Sequence, residues 1–577
     1  MLKRKRSLLL LILLTAIGAY LHFFNLNWGS PFFFNPDERN IASAVAQLQF
    51  PYQMNPHFFA YGSLPIYTIY FAGVLLNYMT PFFSSSSQSQ ILNVSFSQAI
   101  IISRFFSALF ATLLIPLLYI IAKNLKQKYS HKNKDSNTES LLTAFFATAS
   151  TGFIQFSHFG TFEMWLTFFG TLLFWLCLYY SNKPKSSILI LLGVVFGILV
   201  SVKVSSLILL PIPLGIFGVL SLKKKWKKHL SEKFRLTNFL NIGHAGLLSL
   251  LSFLRKTFVF AVLAILVYLL TNPYVILDQK DFISSMNYES SVALGTEPVF
   301  YTGNFYNTTP VIYQFLHVYP FLINPLLTLI FIPAFIFFLY QTIKTKNPAY
   351  IILTIFFLIL SLSQAYLFVK WTRYMMPTLP FIYLIIAVVL ANNEVTKQWN
   401  IRIKKLFSVI IIVTCLLFAF SYLKTAFINS DTRIQALLFA TKKLPTNASV
   451  LSEPADLGVL PFQDAFPHFD TFNFYDLDNH SPDITEMTLQ QKLSTAQYFF
   501  IPSQRILQTR MQNPKRYPKG HRFYAALLSS RLNFHMIYET PCDIFCRITY
   551  LGDPVYWWEQ TVSVFDRPTV FIFEKNE

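Results

Sequence analysis

Long apolar runs dominate this sequence and decide what it can fold into. A run of about 20 apolar residues is long enough to cross a bilayer as a helix. Only 13% of the 577 residues are charged, against about 25% in an ordinary soluble domain. The sequence therefore predicts a mainly α, polytopic membrane protein with about eleven transmembrane helices, at approximately 7–24, 99–122, 141–157, 164–181, 186–202, 204–221, 257–272, 321–341, 348–366, 374–391 and 406–424.

The distribution of basic residues predicts the orientation of these spans. Of the 47 Lys and Arg residues, 26 lie in the opening MLKRKR or in loops that eleven spans put on the same side. Because basic loops mark the cytoplasmic face, we predict a cytoplasmic N-terminus, retained as an anchor, and an exterior tail. The plasma (inner) membrane is the expected location. The net charge of +20 is concentrated in these loops, so we expect membrane lipids as partners and no nucleic acid.

This topology divides the chain into a membrane part, residues 1–424, and an exterior tail, residues 425–577. Two exterior segments of the membrane part, 25–98 and 273–320, are too long for simple turns, and such loops are usually functional or disordered. The middle of the first, NPHFFAYGSLPIYTIYFAGVLLNYM, is apolar enough to span. A span there would move the basic loop KNLKQKYSHKNK outside, so we favour helices lying along the membrane surface, with a true span as the alternative.

The tail has a different composition from the membrane part. It mixes short strand-like runs (SVLSE, AQYFFIP and TVFIFEK) with the helical stretch TRIQALLFATKKL, which predicts a small α+β domain. Cys542 and Cys546, in PCDIFC, are expected outside, where a disulfide is permitted. Cys177 and Cys415 fall inside predicted spans and are expected to be core residues.

Charged residues collect at the exterior ends of the predicted spans. Charges at membrane depth are costly, and they face a polar cavity or pair with one another. Structural ion pairs or interfacial anchors would explain any one of them, but the whole set on one face predicts a site. The acids are Asp37, Glu38 and Glu163, and the bases are Arg104, Lys203, Lys370 and Arg373.

Sugar transfer from a lipid-phosphate donor is a chemistry that needs such a set. A carboxylate removes the proton from the attacking hydroxyl as general base. Lys or Arg holds the negative charge of the leaving phosphate. The lipid tail of the donor explains a site at the bilayer edge, and the sequence has no Walker or Rossmann glycine loop that would indicate a nucleotide.

Four motifs resemble those of a family of polytopic GT-C-type glycosyltransferases (glycosyltransferase family 39-like), which includes protein O-mannosyltransferases and aminoarabinose transferases of lipid A. NPDERN resembles the acidic motif of the first loop in that family, and QFSHFGTFE resembles its second-loop pattern of a His followed by an acid. The remaining two are a glycine-rich span ending in a Lys, GVVFGILVSVKVSSLILLP, and the Arg-Tyr-x-x-Pro-x-x-Pro segment in KWTRYMMPTLPF.

The resemblance implies roles for these residues. Asp37 is the expected catalytic base with Glu38 as its neighbour, and Glu163 positions the acceptor or the base. Surface helices of the first loop would cover the site, and catalysis would invert the anomeric carbon without an obligatory metal, while a role for a divalent cation stays open. The expected ligands of the donor phosphate are Lys203 and Arg373, with Arg104 and Lys370 as weaker candidates.

This sequence also departs from the family pattern. The second-loop acid is Glu163 where Asp is common, YGSLPIY lacks the Lys of a Lys-Pro-Pro element, and the extra domain follows the spans. The acceptor, whether lipid, glycan or protein, is therefore left open. His158 is expected to position its loop, and Tyr288 and Glu289 either touch a sugar or are solvated loop residues.

Three other functions compete with sugar transfer from a polyprenyl-phosphate donor. A ligase or polymerase of lipid-linked glycans would use the same face of the membrane. A transporter would place its charges near the bilayer midplane, often with internal repeats, and the sequence has no repeat between its halves. A receptor would leave the acids at the membrane edge without a purpose.

Overall fold

Helices make up most of the chain, as its apolar runs predict. The computed structural model describes residues 2–79, 92–127, 137–229, 238–297, 299–392, 400–454, 457–478 and 482–576. The helices up to residue 423 are α1 (Leu2–Phe23), α2 (Pro36–Ala46), α3 (Ser63–Met79), α4 (Phe96–Gln127), α5 (Thr138–Thr148), α6 (Thr151–Ser157), α7 (Glu163–Asn182), α8 (Ser186–Val202), α9 (Pro211–His229), α10 (Asn238–Thr271), α11 (Tyr274–Leu277), α12 (Gln279–Leu294), α13 (Tyr319–Leu322), α14 (Pro325–Thr345), α15 (Pro348–Ala365), α16 (Leu379–Leu390) and α17 (Ile401–Leu423).

The multi-span character of the chain is confirmed. Among the described residues, nine helical stretches are long and apolar enough to cross a membrane. The other two predicted spans correspond to α8, which is apolar but has 17 residues, and to the pair α5 and α6. The predicted span 141–157 is broken because Ser150 accepts a hydrogen bond from the amide of Phe153 (3.1 Å) and so caps α6.

The two long segments of the membrane part both contain helices. In the first segment, α2 and α3 are separated by an irregular stretch, and α3 is not among the nine long apolar stretches. Whether α3 lies along the membrane surface stays a prediction. In the second segment, the 16-residue helix α12 was not predicted from the sequence and ends at Gly295, which has a left-handed φ of 75°.

Helices α8 and α10 approach each other closely through two glycines of the GVVFG sequence. A Cβ atom on Gly193 would lie 2.9 Å from the carbonyl oxygen of Phe260, and one on Gly197 would lie 2.7 Å from that of Ala264. Small residues four positions apart let membrane helices pack backbone to backbone. The glycine-rich character of this span is therefore a packing requirement.

The tail contains a five-stranded sheet, which confirms the predicted α+β character. Its order is β2-β1-β3-β5-β4, in which β1 pairs in parallel with β2 and β3, and β5 runs antiparallel to β3 and β4. The strands are β1 (Ser449–Ser452), β2 (His468–Thr471), β3 (Tyr498–Ile501), β4 (Phe534–Glu539) and β5 (Phe571–Lys575). The helices are α18 (Thr432–Lys443), α19 (Leu460–Gln463), α20 (Pro482–Thr495), α21 (Arg505–Gln512), α22 (Pro518–Leu528) and α23 (Ile544–Thr549).

The tail packs directly against the membrane helices. Tyr550, Trp558 and Phe565 are buried in the same hydrophobic core as α4, α7 and α16. The carboxylate of Asp566 accepts hydrogen bonds from the Tyr422 hydroxyl and from Nε2 of Gln155 (3.1 Å). Cys542 and Cys546 are joined by a disulfide, whereas Cys177 and Cys415 are free and buried.

We predict that Gly197→Leu destabilises the protein, because its side chain would meet the backbone of α10. Overpacking of this kind costs about 1–3 kcal/mol, so the melting temperature of the purified protein should fall. Gly215→Leu is the matched control, since a Cβ there meets no other atom within 4 Å. Equal melting temperatures for the two variants would contradict the close approach of α8 and α10.

Candidate active site

The FNPDERN sequence forms the start of α2 and presents its two acids side by side. The side chain of Asn35 caps the helix by accepting hydrogen bonds from the amides of Asp37 (3.0 Å) and Glu38 (3.4 Å). Pro36 occupies the first helical position, where its fixed φ suits the helix. Acids in the first turn also interact favourably with the helix dipole. The cap therefore fixes where α2 begins, and with it the backbone positions of the two acids.

Glu38 points into the protein and forms a buried ion pair. Both of its oxygens accept from the guanidinium of Arg104, one at 3.0 Å, and Oε2 also accepts from the amide of Gly160 (2.9 Å). Arg104 donates further to the carbonyls of Leu26 (2.7 Å) and Trp28 (2.8 Å), and both charged side chains are fully buried. This pair joins α2, α4 and the loop before α7.

Asp37 points the other way, towards a cavity of about 650 Å³. Its carboxylate forms an ion pair with the guanidinium of Arg373, and both side chains stay partly exposed. Arg373 also lies over the ring of Trp371, 4.5 Å from its centroid, and its Nε has no hydrogen-bond partner among the described residues. The predicted base and the predicted phosphate ligand are thus in contact.

The walls of this cavity come from widely separated parts of the chain. The first segment, the end of α8, α12, the stretch before α16 and the tail all contribute. Aromatic rings cover much of the wall, which suits the apolar faces of sugars. The lining residues are Pro36, Asp37, Asn40, Phe58, Ala60, Tyr61, Lys203, Tyr288, Glu289, Phe300, Tyr301, Trp371, Arg373, Tyr374, Pro454, Leu457, Asn473, Tyr475, Arg505, Thr561 and Phe565.

Lys203 stands in the cavity wall as a cation without an ion-pair partner among the described residues. Its ammonium lies 5.4 Å from the ring centroid of Tyr61 and 5.1 Å from that of Tyr374. Burial lowers the pKa of Lys203 from its ordinary value, and the neighbouring Arg373 lowers it further. A negatively charged ligand would relieve both effects.

A narrow, mostly apolar cleft of about 60 Å³ opens beside the cavity. Lys203 and Arg373 line the cleft as well as the cavity, whereas Glu163 lines the cleft but not the cavity. Glu163 is buried at the start of α7, and its Oε2 has no hydrogen-bond partner in the part of the chain that the structure describes. The apolar part of the cleft is formed by Leu166, Gly170, Leu199, Ile208, Leu209, Leu360 and Pro377.

Five of the ten predicted site residues do not line the cavity: Glu38 and Glu163, described above, and Arg104, Lys370 and His158. Arg104 is fully buried against Glu38, and the ammonium of Lys370 donates to the carbonyls of Leu367 (3.1 Å) and Phe368 (3.0 Å). The prediction that these two cations bind a donor phosphate is therefore not supported by their geometry. His158 is buried, and its Nε2 lies 2.6 Å from the carbonyl oxygen of Phe24. This contact holds the loop that contains His158.

Several residues of the cavity wall were missed by sequence reasoning. Trp371 and Tyr374 lie within two residues of Arg373 in KWTRYMMP, so the motif could have indicated them. Arg505 and Tyr475 lie in the tail, outside any motif, and only the fold brings them to the cavity. Tyr288 and Glu289 do line it, from α12.

The described residues contain one group of side chains with ligand atoms close enough to share a cation. It consists of His57, Asp278 and Asp281, whose ligand atoms lie within 4.8 Å of one another. None of the three lines the cavity. The amide of Asn55 already donates to Asp278 (2.7 Å), so this group is explained as a contact between the two long segments.

We predict that Glu38→Gln and Arg104→Gln lower stability, because each leaves the opposite charge buried alone. Breaking a buried pair in this way costs about 3–5 kcal/mol, so both variants should melt well below the wild type. Asp37→Asn should change the melting temperature little, since its ion pair is partly exposed. A wild-type melting temperature for Glu38→Gln would show that the pair does not hold α2.

The structure is similar to several solved structures, each at low sequence identity. The oligosaccharyltransferase of Archaeoglobus fulgidus in the apo form has 12% identity and a TM-score of 0.48, covering 98% of this chain and 88% of that one. ArnT from Cupriavidus metallidurans bound to undecaprenyl phosphate has 12% identity and a TM-score of 0.43, covering 97% of each chain. The S. cerevisiae protein O-mannosyltransferase Pmt1–Pmt2 complex bound to the sugar donor has 15% identity and a TM-score of 0.30, covering 46% of this chain and 34% of that one.

The sequence itself matches a family model. No curated protein sequence matches the chain, but residues 44–276 match the family of dolichyl-phosphate-mannose-protein mannosyltransferases. This stretch includes Glu163 and Lys203, both of which line the cleft. Over these residues, which are less than half of the chain, the match confirms the resemblance to the protein mannosyltransferases that the motifs predict.

Proposed function

We propose that the protein transfers a sugar from a polyprenyl-phosphate donor to an acceptor hydroxyl, with inversion at the anomeric carbon. The lipid would enter through the cleft, its phosphate would bind Lys203 and Arg373, and the sugar would occupy the cavity. Asp37 would act as general base. The acceptor is a lipid, glycan or protein that reaches the same cavity.

The observation that carries this proposal is the position of the two cations. Lys203 and Arg373 line both the aromatic, polar cavity and the apolar cleft. A lipid-phosphate sugar has the same order of parts, with a phosphate between an apolar chain and a sugar. The phosphate supplies the anion that Lys203 lacks, and charge-assisted hydrogen bonds to phosphate are strong.

The chemical step uses the ion pair of Asp37. When the phosphate binds, the guanidinium of Arg373 gains a second anion, which weakens its hold on Asp37. Asp37 then takes the proton of the acceptor hydroxyl as the new bond from that oxygen to the anomeric carbon forms. The bond from the anomeric carbon to the phosphate oxygen breaks, and Lys203 and Arg373 stabilise the leaving lipid phosphate. A single displacement of this kind inverts the anomeric carbon.

We further propose that this site lies at the exterior face, with residues 425–577 as an exterior domain above it. The excess of basic residues in the other loops supports a cytoplasmic N-terminus. Tail residues such as Asn473, Tyr475 and Arg505 line the cavity, so the tail and the site share one side. Glu163 stands beside Asp37 in a second small cavity, where it would orient the acceptor or the base.

The test of the proposal is the release of polyprenyl phosphate by the purified protein. A panel of polyprenyl-phosphate sugars is supplied in lipid–detergent micelles, with cell-envelope extract as the source of acceptors. We expect release by the wild type from at least one donor and a loss of roughly 100-fold or more in Asp37→Asn, the usual contribution of a general base. Asp281→Asn is the matched control, because it changes an exposed acid outside the cavity.

The outcomes separate the class of reaction from the role of the residue. Equal release by wild type and Asp37→Asn would keep the glycosyltransferase but exclude Asp37 as its base. Absence of release from every monosaccharide donor, with transfer from lipid-linked oligosaccharides instead, would identify a ligase or polymerase.

We predict that Gly170→Leu raises the KM for the lipid donor with little change in kcat. A Cβ at Gly170 meets no other atom within 4 Å, so the new side chain would extend into the cleft. It would take the space of the first lipid carbons without disturbing Asp37. Steady-state kinetics of donor turnover measure the effect, with Gly218→Leu as the control because a Cβ there is equally unhindered. An unchanged KM would place the lipid outside this cleft.

A further inference from the structure

Another cavity lies where the tail meets the end of the last membrane helix. None of its lining residues belongs to the motifs of the candidate site. Its volume is about 440 Å³. Hydroxyl and amide side chains make up much of its lining, together with one buried cation. The lining residues are Thr425, Ile428, Asn429, Ser430, Thr432, Gln435, Pro541, Asp543, Cys546 and Arg567.

This cavity lies at the edge of the membrane. Thr425 and Ile428 belong to the last turn of the apolar helical stretch Arg402–Ile428. Below them on the same stretch, Phe420 packs edge-on against Phe545 of α23, with ring centroids 5.6 Å apart. At 1.5 Å of rise per residue, Phe420 is about 12 Å below Ile428. The tail thus reaches down beside a membrane-spanning helix.

The outer surface at this point is apolar, although it belongs to the tail. Ile544, the first residue of α23, is 68% exposed, and Leu551 and Trp557 are also exposed. Phe420 and Ile428 expose apolar surface on the neighbouring membrane stretch. Exposed apolar residues of α23 that continue the apolar surface of a membrane helix are typical of a segment that meets the bilayer. Lipid is therefore the neighbour that this surface meets.

Arg567 is the buried cation of the cavity, and it forms no ion pair with a described carboxylate. Its side chain is 2% exposed, Nη2 donates to the carbonyl of Pro541 (2.9 Å), and Nη1 has no hydrogen-bond partner among the described residues. Asp566 is occupied by Tyr422 and Gln155, and Oδ1 of Asp543 caps α23 by accepting from the amide of Cys546 (2.9 Å). Buried charges are normally paired, and no described carboxylate lies within ion-pair distance of Arg567.

Two further properties of the cavity fit an anionic ligand. The hydroxyl of Thr425 is buried and has no hydrogen-bond partner in the described part of the chain. Burial lowers the pKa of Arg567 from its ordinary value, and the carboxylates of Asp543 and Asp566 offset this only in part. A phosphate would accept hydrogen bonds from both side chains and restore the charge balance.

We propose that this cavity binds the phosphate group of a membrane phospholipid. Arg567 and Thr425 would hold the phosphate, and the acyl chains would run down past Ile428, Ile544 and Phe420. The lipid would fill the seam between the tail and the last membrane helix. This site shares no residue with the cavity around Asp37, so the inference stands whether or not the proposed transferase reaction is correct.

The test compares three probes on the purified, delipidated full chain by native mass spectrometry. Dioctanoyl phosphatidylglycerol carries the phosphate and the chains, dioctanoylglycerol carries only the chains, and inorganic phosphate carries only the anion. We expect tight binding of the phospholipid alone. Arg567→Gln should weaken it roughly ten-fold or more, since hydrogen bonds to charged groups contribute about 1.5–3 kcal/mol. Phospholipid bound at other sites is the same in every variant, so it does not change the difference in affinity between the wild type and a variant.

Two more variants complete the test. Arg547→Gln is the matched control, because it removes an exposed Arg of α23 that does not line the cavity, and its affinity should equal that of the wild type. Thr425→Val keeps the shape of the side chain and removes its hydroxyl, so it should weaken phospholipid binding by a few fold. It provides a second measurement if Arg567→Gln does not fold.

Three results would overturn the proposal. Equal phospholipid affinity in the wild type, Arg567→Gln and Thr425→Val would show that the phosphate is not held here. Equal binding of dioctanoylglycerol would show that only the chains are recognised. Saturation by inorganic phosphate at the concentrations that suffice for the phospholipid would identify a free anion as the ligand.

Discussion

The buried ion pair between Glu38 and Arg104 determines where the acids of the first loop can point. Because Glu38 is drawn inwards to Arg104 and the amide of Gly160, the neighbouring carboxylate of Asp37 is turned to the cavity and to Arg373. The buried side chain of Asn35 caps the same turn of α2 at its N-terminus. Two adjacent acids thereby take different tasks, one structural and one suited to chemistry.

The charges around the cavity illustrate how a membrane protein keeps ionisable groups at the bilayer edge. Each charged group has a partner, an aromatic face or a cavity to face, as the cost of charges near hydrocarbon demands. Asp37 forms an ion pair with Arg373, whereas Lys203 lies near the rings of Tyr61 and Tyr374 and has no ion-pair partner among the described residues. In the function that we propose, these unequal partners let Lys203 attract an anion, and the apolar cleft next to it favours an anion that carries a chain.

Much of this fold follows from local sequence, and the exceptions have physical reasons. Long apolar runs predicted the membrane helices because length and composition suffice to define them. In the tail, β1, β3 and β5 were anticipated by their buried apolar runs, whereas β2 and β4 lie at the sheet edges, carry more exposed residues and gave no signal. Helix α12 was missed because it buries a single residue, Val292, and so lacks the regular apolar face that predicts a helix from sequence.

The site was anticipated only as far as local motifs extend. The motifs predicted Asp37, Lys203 and Arg373 as a set, and these residues do meet. They could not distinguish Arg104 or Lys370, since the same charge serves equally well in a buried pair or against backbone carbonyls. Arg505 and Tyr475 come to the wall only through the packing of the tail, which no local pattern encodes.

The composition of the cavity wall has a consequence for how the molecule is made. Pro36 and Asp37 leave the ribosome early, whereas Thr561 and Phe565, which close the opposite wall, are among the later residues to be synthesised. Without the tail packed against the membrane helices, Asp37 and Lys203 would face an open trough and not an enclosed cavity. The cavity is therefore enclosed only after residues as far apart as Asp37 and Phe565 have been synthesised and have packed together.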